Sequence, residues 1–270
     1  MKIIGEKING TLGPVKKAIA ERDANFIRFL AQQQIDAGVG WLDIHAGTQA
    51  DKEIKDLVWL VETVQEMTKV PLCLDSTNPE VLAAALKVIH QPPLINSISG
   101  EVERLEHILS LAAEHGCQVI ALAMDGRGIP SSVLGRMDVI RNIITETRRC
   151  GISDEMIYID PLILTIATNI DSGMISLQTM RMVKAEYPNV HLTCAISNIS
   201  FGLPSRSLIN STFLTLAIAA GLDSAILDPL DRYLRKALLA SELLLGRDRH
   251  CLNYTQAYRS GLFGRSDPIN

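Results

Sequence analysis

Eight times along this chain a short apolar run ends near a polar residue and gives way to a longer segment, often of helical period. The runs fall at 2–8, 41–46, 71–76, 93–98, 117–125, 157–161, 191–198 and 224–229. They are rich in Val, Ile, Leu and Ala, and their apolar bodies suit parallel strands covered on both faces. Strand and helix in alternation make repeated βα units. Eight such units in 270 residues match an α/β fold, a single-domain (β/α)8 TIM barrel, whereas a doubly wound sheet usually has fewer strands. The barrel is assigned to residues 1–250; residues 251–270, with Gly261, Gly264 and Pro268, read as a C-terminal tail.

The segment 51–68 carries Ile54, Leu57, Val58, Val61, Val64 and Met67 at spacings of three and four, the pattern of an amphipathic helix lying on a sheet. Asp51 is placed to cap its first turn, and Asn78, before Pro79 and Glu80, opens the next helix.

In a barrel of this kind the active site lies at the carboxyl ends of the strands, so polar residues there are informative. Glu6 and Asn9 follow the first run, Asp43 and His45 end the second, and Asp75, Asn96, Asp125, Asp160, Asn198 and Asp228 end the remaining six in order. Any one of them could be a helix cap or turn former. Taken together they describe a mouth rich in hydrogen-bond acceptors and poor in nucleophiles and metal ligands. Such a lining suits a flat, neutral heterocycle with several N–H donors on one edge, as a pterin has. A phosphorylated ligand would want basic groups or a glycine-rich loop.

Composition narrows the classes further. A net charge of −4, from 26 basic and 30 acidic residues, leaves no footprint for a nucleic-acid backbone. The five cysteines, Cys73, Cys117, Cys150, Cys194 and Cys251, are widely separated, with no CxxC or Cys/His ligand spacing. They read as reduced thiols of a cytoplasmic protein. No stretch approaches the roughly 20 apolar residues of a membrane span, and the opening MKIIGEKING is too short in apolar length for a signal peptide.

The ordered motifs GEKING, LCLDSTN, INS, AAEHG, YIDPLIL, SNIS, LINSTFL and AGLDSAI span nearly the whole chain. Together they resemble the pterin-binding methyltransferases that move a methyl group between 5-methyltetrahydrofolate and a corrinoid. The likeness is to the methyltetrahydrofolate:corrinoid/iron–sulfur protein methyltransferase and to the folate-side methyltransferases of O-demethylase and betaine-demethylation systems. It implies a pterin-binding barrel, tetrahydrofolate or 5-methyltetrahydrofolate as substrate, a corrinoid (cobalamin) carried by a partner protein, no metal in this chain, and a homodimer. The implied setting is one-carbon metabolism, in the acetyl-CoA pathway or in anaerobic demethylation. By the same resemblance Asp75, Asn96 and Asp160 grip the pyrimidine half of the pterin, with Glu6, Asn9 and Asp43 on the same rim. Asn198 is similar to a mobile asparagine that hydrogen-bonds the methyl-bearing nitrogen, and Arg206 to an arginine of that loop near the pterin. Asp75 and Asp160 are expected to act ionised.

Two positions depart from the pattern, His45 where an asparagine is expected and Asp125 where Met-Asn is. The run from Asp43 to Gly47 invites comparison with the DxHxxG box that ligates cobalamin through histidine, but its glycine comes one residue early. The corrinoid is therefore expected on a separate protein. Alternatives are a non-catalytic folate-binding or corrinoid-docking module, which would not need Asn198, and an enzyme like dihydropteroate synthase. A Schiff-base aldolase would need a desolvated lysine at a strand end, and only Lys7 lies near one.

Overall fold

The computed structural model describes residues 1–264 and places eight parallel strands in a ring. The chain runs β1 (Lys2–Asn9), α1 (Gly13–Glu21), α2 (Ala24–Asp36), β2 (Trp41–His45), α3 (Ala50–Gln65), β3 (Leu72–Asp75), α4 (Pro79–Leu86), β4 (Leu94–Ile98) and α5 (Val102–His115). It continues with β5 (Gln118–Leu122), α6 (Val133–Arg149), β6 (Ile157–Asp160), α7 (Ser172–Glu186), β7 (His191–Leu192), α8 (Arg206–Ala219), β8 (Ser224–Leu227), α9 (Arg232–Leu244) and α10 (Leu252–Arg259). The strand order is β7-β6-β5-β4-β3-β2-β1-β8. A seam between β7 and β8 closes the ring: the Ile226 N–H donates to Cys194 O at 2.9 Å, and Ser224 Oγ donates to Leu192 O at 3.0 Å. The eight-unit reading of the sequence is thus the observed architecture.

Two apolar layers follow from the strands' period of two. One face of each strand packs outward on the helices, where Leu57, Leu60, Val61 and Val64 of α3 meet strand residues such as Leu42, Ile44 and Leu74. The other face fills the barrel: Ile4, Trp41, Cys73, Leu94, Ile120, Tyr158 and Ile226 form a separate buried cluster. Seven strands contribute one residue each, the layered filling expected of such a barrel. Within it, Trp41 meets the Tyr158 ring edge-on at 5.6 Å between ring centroids, and His191 stacks on Tyr158 at 4.6 Å.

Several local expectations shift. Asp51 does not cap α3; the helix begins at Ala50 with Gln49 before it, so Asp51 lies inside the first turn, where its charge still complements the helix dipole. Ile54 is partly exposed, and Met67 lies beyond the helix end. Asn78 caps α4 as expected, accepting the Glu80 N–H at 2.9 Å. The expected strand 191–198 is cut to two residues, because the chain tightens into a 3-10 turn at Ile196–Ser200 that buries Ile196, Ile199 and Ser200. Within the expected tail, Leu252–Arg259 is helical, with Tyr254 packed on Phe263 at 4.8 Å; residues 265–270 lie outside the described residues.

The mouth is drawn together where the loops after β1 and β2 touch backbone to backbone. Gly10 N–H donates to His45 O at 2.8 Å, and a Cβ on Gly10 would lie 1.7 Å from Ala46 O. Gly10→Ala must force the two loops apart and is expected to destabilise the fold by about 1–3 kcal/mol, as overpacking does. Thermal unfolding reads this; an unchanged Tm would refute the contact.

Candidate functional site

The site is what the inner faces of the strands carry one pleat above the apolar floor. Asp43 follows Trp41 by two residues, Asp75 follows Cys73, Asn96 follows Leu94, Asp160 follows Tyr158, and Asp228 follows Ile226. The same side of each strand therefore turns from apolar to acidic at its carboxyl end. Asp75 and Asn96 are register partners on β3 and β4. Asn96 Nδ2 donates to Asp43 Oδ1 at 3.4 Å. His45 Nδ1 lies 3.1 Å from Asp75 Oδ2, an ion pair when the imidazole is protonated. The contact with Asp75 raises the imidazole's hold on that second proton against partial burial. His45, which replaces the expected asparagine, thus sets an imidazole beside the acceptor cluster.

Burial sets the electrostatics. Asp43 is 3% exposed, and its desolvation, together with the neighbouring Asp75 charge, pushes its carboxyl up to about 8. Asp160, 6% exposed, is pushed up to about 7 by burial, while the Leu162 N–H and the Arg136 charge pull the other way. Burial therefore favours the protonated form of Asp160 in the empty site. A ligand presenting N–H donors would favour the charged form.

The loop after β6 is held by a residue that the sequence reading did not single out. Arg136, on α6 and 1% exposed, donates to Pro161 O at 2.6 Å, Leu162 O at 2.8 Å and Pro130 O at 3.1 Å. Leu162 takes a left-handed conformation, φ +61°, and donates its N–H to Asp160 Oδ1 at 2.7 Å. Such a conformation costs a non-glycine residue roughly 1 kcal/mol or more and persists only when its surroundings enforce it. Nothing in the spacing of Arg136 distinguishes it from a surface arginine of an amphipathic helix.

On the opposite side of the mouth, Asn198 sits exposed on the 3-10 turn after β7 instead of at a strand end. Arg206, at the start of α8, clamps that turn: one guanidinium nitrogen donates to Ser197 O at 2.7 Å and Nε to Ser200 Oγ at 3.1 Å. The adjacent Phe201 is 68% exposed and fills no part of the barrel. Glu6 belongs to this side too; burial and the Asp228 charge push its carboxyl up to about 7. Two expected residues are engaged by their own loops. Asn9 engages its own loop, accepting from Thr11 N at 2.9 Å and Thr11 Oγ1 at 2.7 Å. Asp125 lies three residues past β5 and is held by the Arg127 guanidinium at 2.7 Å, which keeps its carboxyl below the usual range. No group of three or more His, Cys, Asp or Glu among the described residues is arranged to hold a metal ion.

The buried acids give the empty site a pH signature. Asp43 titrates near 4 in an unfolded chain and near 8 here, so between those values the folded state binds the extra proton. Stability from this group is full below about pH 4 and is lost as pH rises through about 8. Asp43→Asn removes that loss. The Tm difference between variant and native chain is expected to move in the variant's favour from pH 5 to pH 8.5, and a constant difference would refute the burial argument.

Comparison with known proteins agrees with this geometry. Residues 9–228 match the family described as pterin binding enzymes. A methylcorrinoid:tetrahydrofolate methyltransferase of Eubacterium limosum is 38% identical over 266 residues, 98% of either chain. The methionine synthase of Mycobacterium tuberculosis is 32% identical over 238 residues, 83% of this chain and 20% of that protein. Among solved structures, the dihydropteroate synthase of Stenotrophomonas maltophilia superposes with a TM-score of 0.68 over 90% of this chain and 92% of that one. At 19% identity that likeness is one of fold. A family match over most of the length, on a barrel whose strand ends form an acceptor pocket, identifies the chain as a member of the pterin-binding enzyme family.

Proposed function

We propose that this protein is a methyltransferase that moves a methyl group from a methylated corrinoid, carried by a separate protein, to tetrahydrofolate. The direction follows the name of the Eubacterium limosum relative, in which the methylcorrinoid comes first. The observation that carries the reading is the acceptor cluster of Asp43, Asp75 and Asn96, tied together across β2, β3 and β4, with Asp160 on β6. Carboxylates and an amide in one layer match the donor-rich pyrimidine edge of a pterin, and a carboxylate accepts two parallel N–H bonds.

In this reading Asp75, Asn96 and Asp160 hold the pterin while Asp43 and His45 brace them. Asn198, on its clamped turn, reaches the nitrogen that carries the methyl group. The chain then supplies position and electrostatics: an in-line approach of nitrogen, methyl and cobalt, and an amide placed where charge changes. The protein acts in the cytoplasm as a homodimer and receives its methyl groups from anaerobic demethylation of methoxylated or methylated substrates. No described helix is long and apolar enough to cross a membrane.

Mixing the protein with methylcob(III)alamin and tetrahydrofolate should produce the cobalt(I) absorption; no change with folate still bound would favour a binding module. Asn198→Ala is expected to lower the transfer rate by roughly tens of fold while weakening folate binding less. Equal losses in both would make Asn198 a binding residue only. Asp75→Asn should act mainly on affinity, by about tenfold or more for a lost charge-assisted bond, and titration calorimetry showing unchanged affinity would sink its assignment.

A further inference from the structure

β1 carries one residue more than β2 can pair. Ile4 and Gly5 face Trp41 and Leu42, while Ile8 and Asn9 face Ile44 and His45, so Glu6 and Lys7 together oppose Asp43. Such a bulge frees a backbone N–H from the ladder and re-aims side chains. The fully buried Gln34 of α2 takes up the freed group, its Oε1 accepting the Lys7 N–H at 3.1 Å. Gly5 makes the space: a Cβ there would lie 2.5 Å from that same oxygen. The bulge is thus built from outside the barrel by a buried amide and a missing side chain.

Its effect is to bring two consecutive side chains to the mouth. Lys7 Nζ reaches Asp228 Oδ2, just after β8, at 2.8 Å. Glu6 is faced by Asp228 from beyond the end of β8, by Lys7 on its own strand and by Arg206 from α8, with Asp43 opposite on β2. Asp75, Asn96 and Asp160 occupy β3, β4 and β6. In the proposed function, a pterin held there by its pyrimidine half leaves β7, β8 and β1 to face its other half, with the reacting nitrogen.

Resting on the proposed function, we infer that Lys7 is a positioning residue of methyl transfer: through the bulge and its ion pair with Asp228 it holds the Glu6 carboxyl as the group that exchanges the nitrogen's proton. In transfer to tetrahydrofolate the nitrogen lone pair forms the N–CH3 bond. The Co–CH3 bond breaks with its electron pair left on the metal, cobalt(III) becoming cobalt(I). The N–H proton passes through water to the Glu6 carboxylate, and the reverse reaction returns it. Burial and Asp228 raise this carboxyl while Lys7 and Arg206 oppose them, leaving it at about 7, where it both takes and gives a proton. Lys7, paired with a carboxylate, is not the desolvated amine that an aldolase needs.

The test is the pH dependence of kcat for the full chain with methylcob(III)alamin and tetrahydrofolate, followed at the cobalt(I) band. The native rate should rise through an inflection near pH 7 as Glu6 loses its proton. Glu6→Gln should abolish the inflection and lower the rate by on the order of a hundredfold. Lys7→Met removes a charge that favours the carboxylate, so the inflection should move to higher pH by roughly one unit, and Lys7→Arg should restore it. A purely structural role for Lys7 would lower Tm or folate affinity without moving the inflection. An inflection that persists in Glu6→Gln overturns the inference, as does one that stays in place in a Lys7→Met chain that still binds tetrahydrofolate. Should Lys7→Met fail to fold, Glu6→Gln alone decides. If the native chain moves no methyl group at all, the proposed function itself fails, a result distinct from an altered pH profile.

Discussion

A carboxyl group one pleat above Trp41 or Tyr158 has lost most of its water, and the character of this barrel follows from that loss. Because strand side chains alternate, the apolar cluster that fills the barrel interior fixes which residues come next at the mouth. Those residues are acids and an amide, stacked on hydrocarbon and crowded against each other. Asp43 and Asp160 are pushed up by desolvation, and the neighbouring Asp75 adds repulsion at Asp43. An acceptor cluster held in this way is discontented without a partner, and a flat ligand with several N–H groups relieves it. Binding selectivity is then a property of the floor as much as of the rim.

Rigid loops make the acceptors usable, and two arginines supply much of that rigidity. Arg136 reaches from α6 into the loop after β6 and satisfies carbonyls that the turn leaves bare. Arg206 does the same for the turn that carries Asn198. Both hold loop oxygens in place, and each also sets a positive charge near a buried acid, Arg136 near Asp160 and Arg206 near Glu6. The planar, multiply donating guanidinium suits that task better than an ammonium would.

The sequence made the barrel legible because eight apolar runs, each with a polar end, leave few other folds open. The pocket was legible where an acid stands at an even spacing from an apolar interior residue, as at Asp43, Asp75 and Asp160. It was illegible where the chain breaks period. The bulge at Glu6 and Lys7 depends on Gln34, 27 residues away from Lys7, and on a glycine whose role appears only when the helix packs on the strand. The turn at Ile196–Ser200 reads as a continuing strand, since its isoleucines are as apolar as those of a sheet. Asp125 resembles the other strand ends in sequence but lies beyond β5, paired with Arg127. Arg136 looks like a solvated helix residue until the loop it serves is in place.

The ring is joined by seven strand ladders and one seam. At that seam β7 is two residues long, and side chains do much of the joining: Ser224 Oγ donates to Leu192 O, and the Asp223 carboxylate just before β8 accepts the Leu192 N–H and the Lys184 ammonium. The turn bearing Asn198 springs from that joint. The wall of the barrel is thus backbone ladder at seven joints and largely side-chain joinery at the eighth, so that the placement of Asn198 depends on Asp223, Ser224 and Arg206 as much as on any strand.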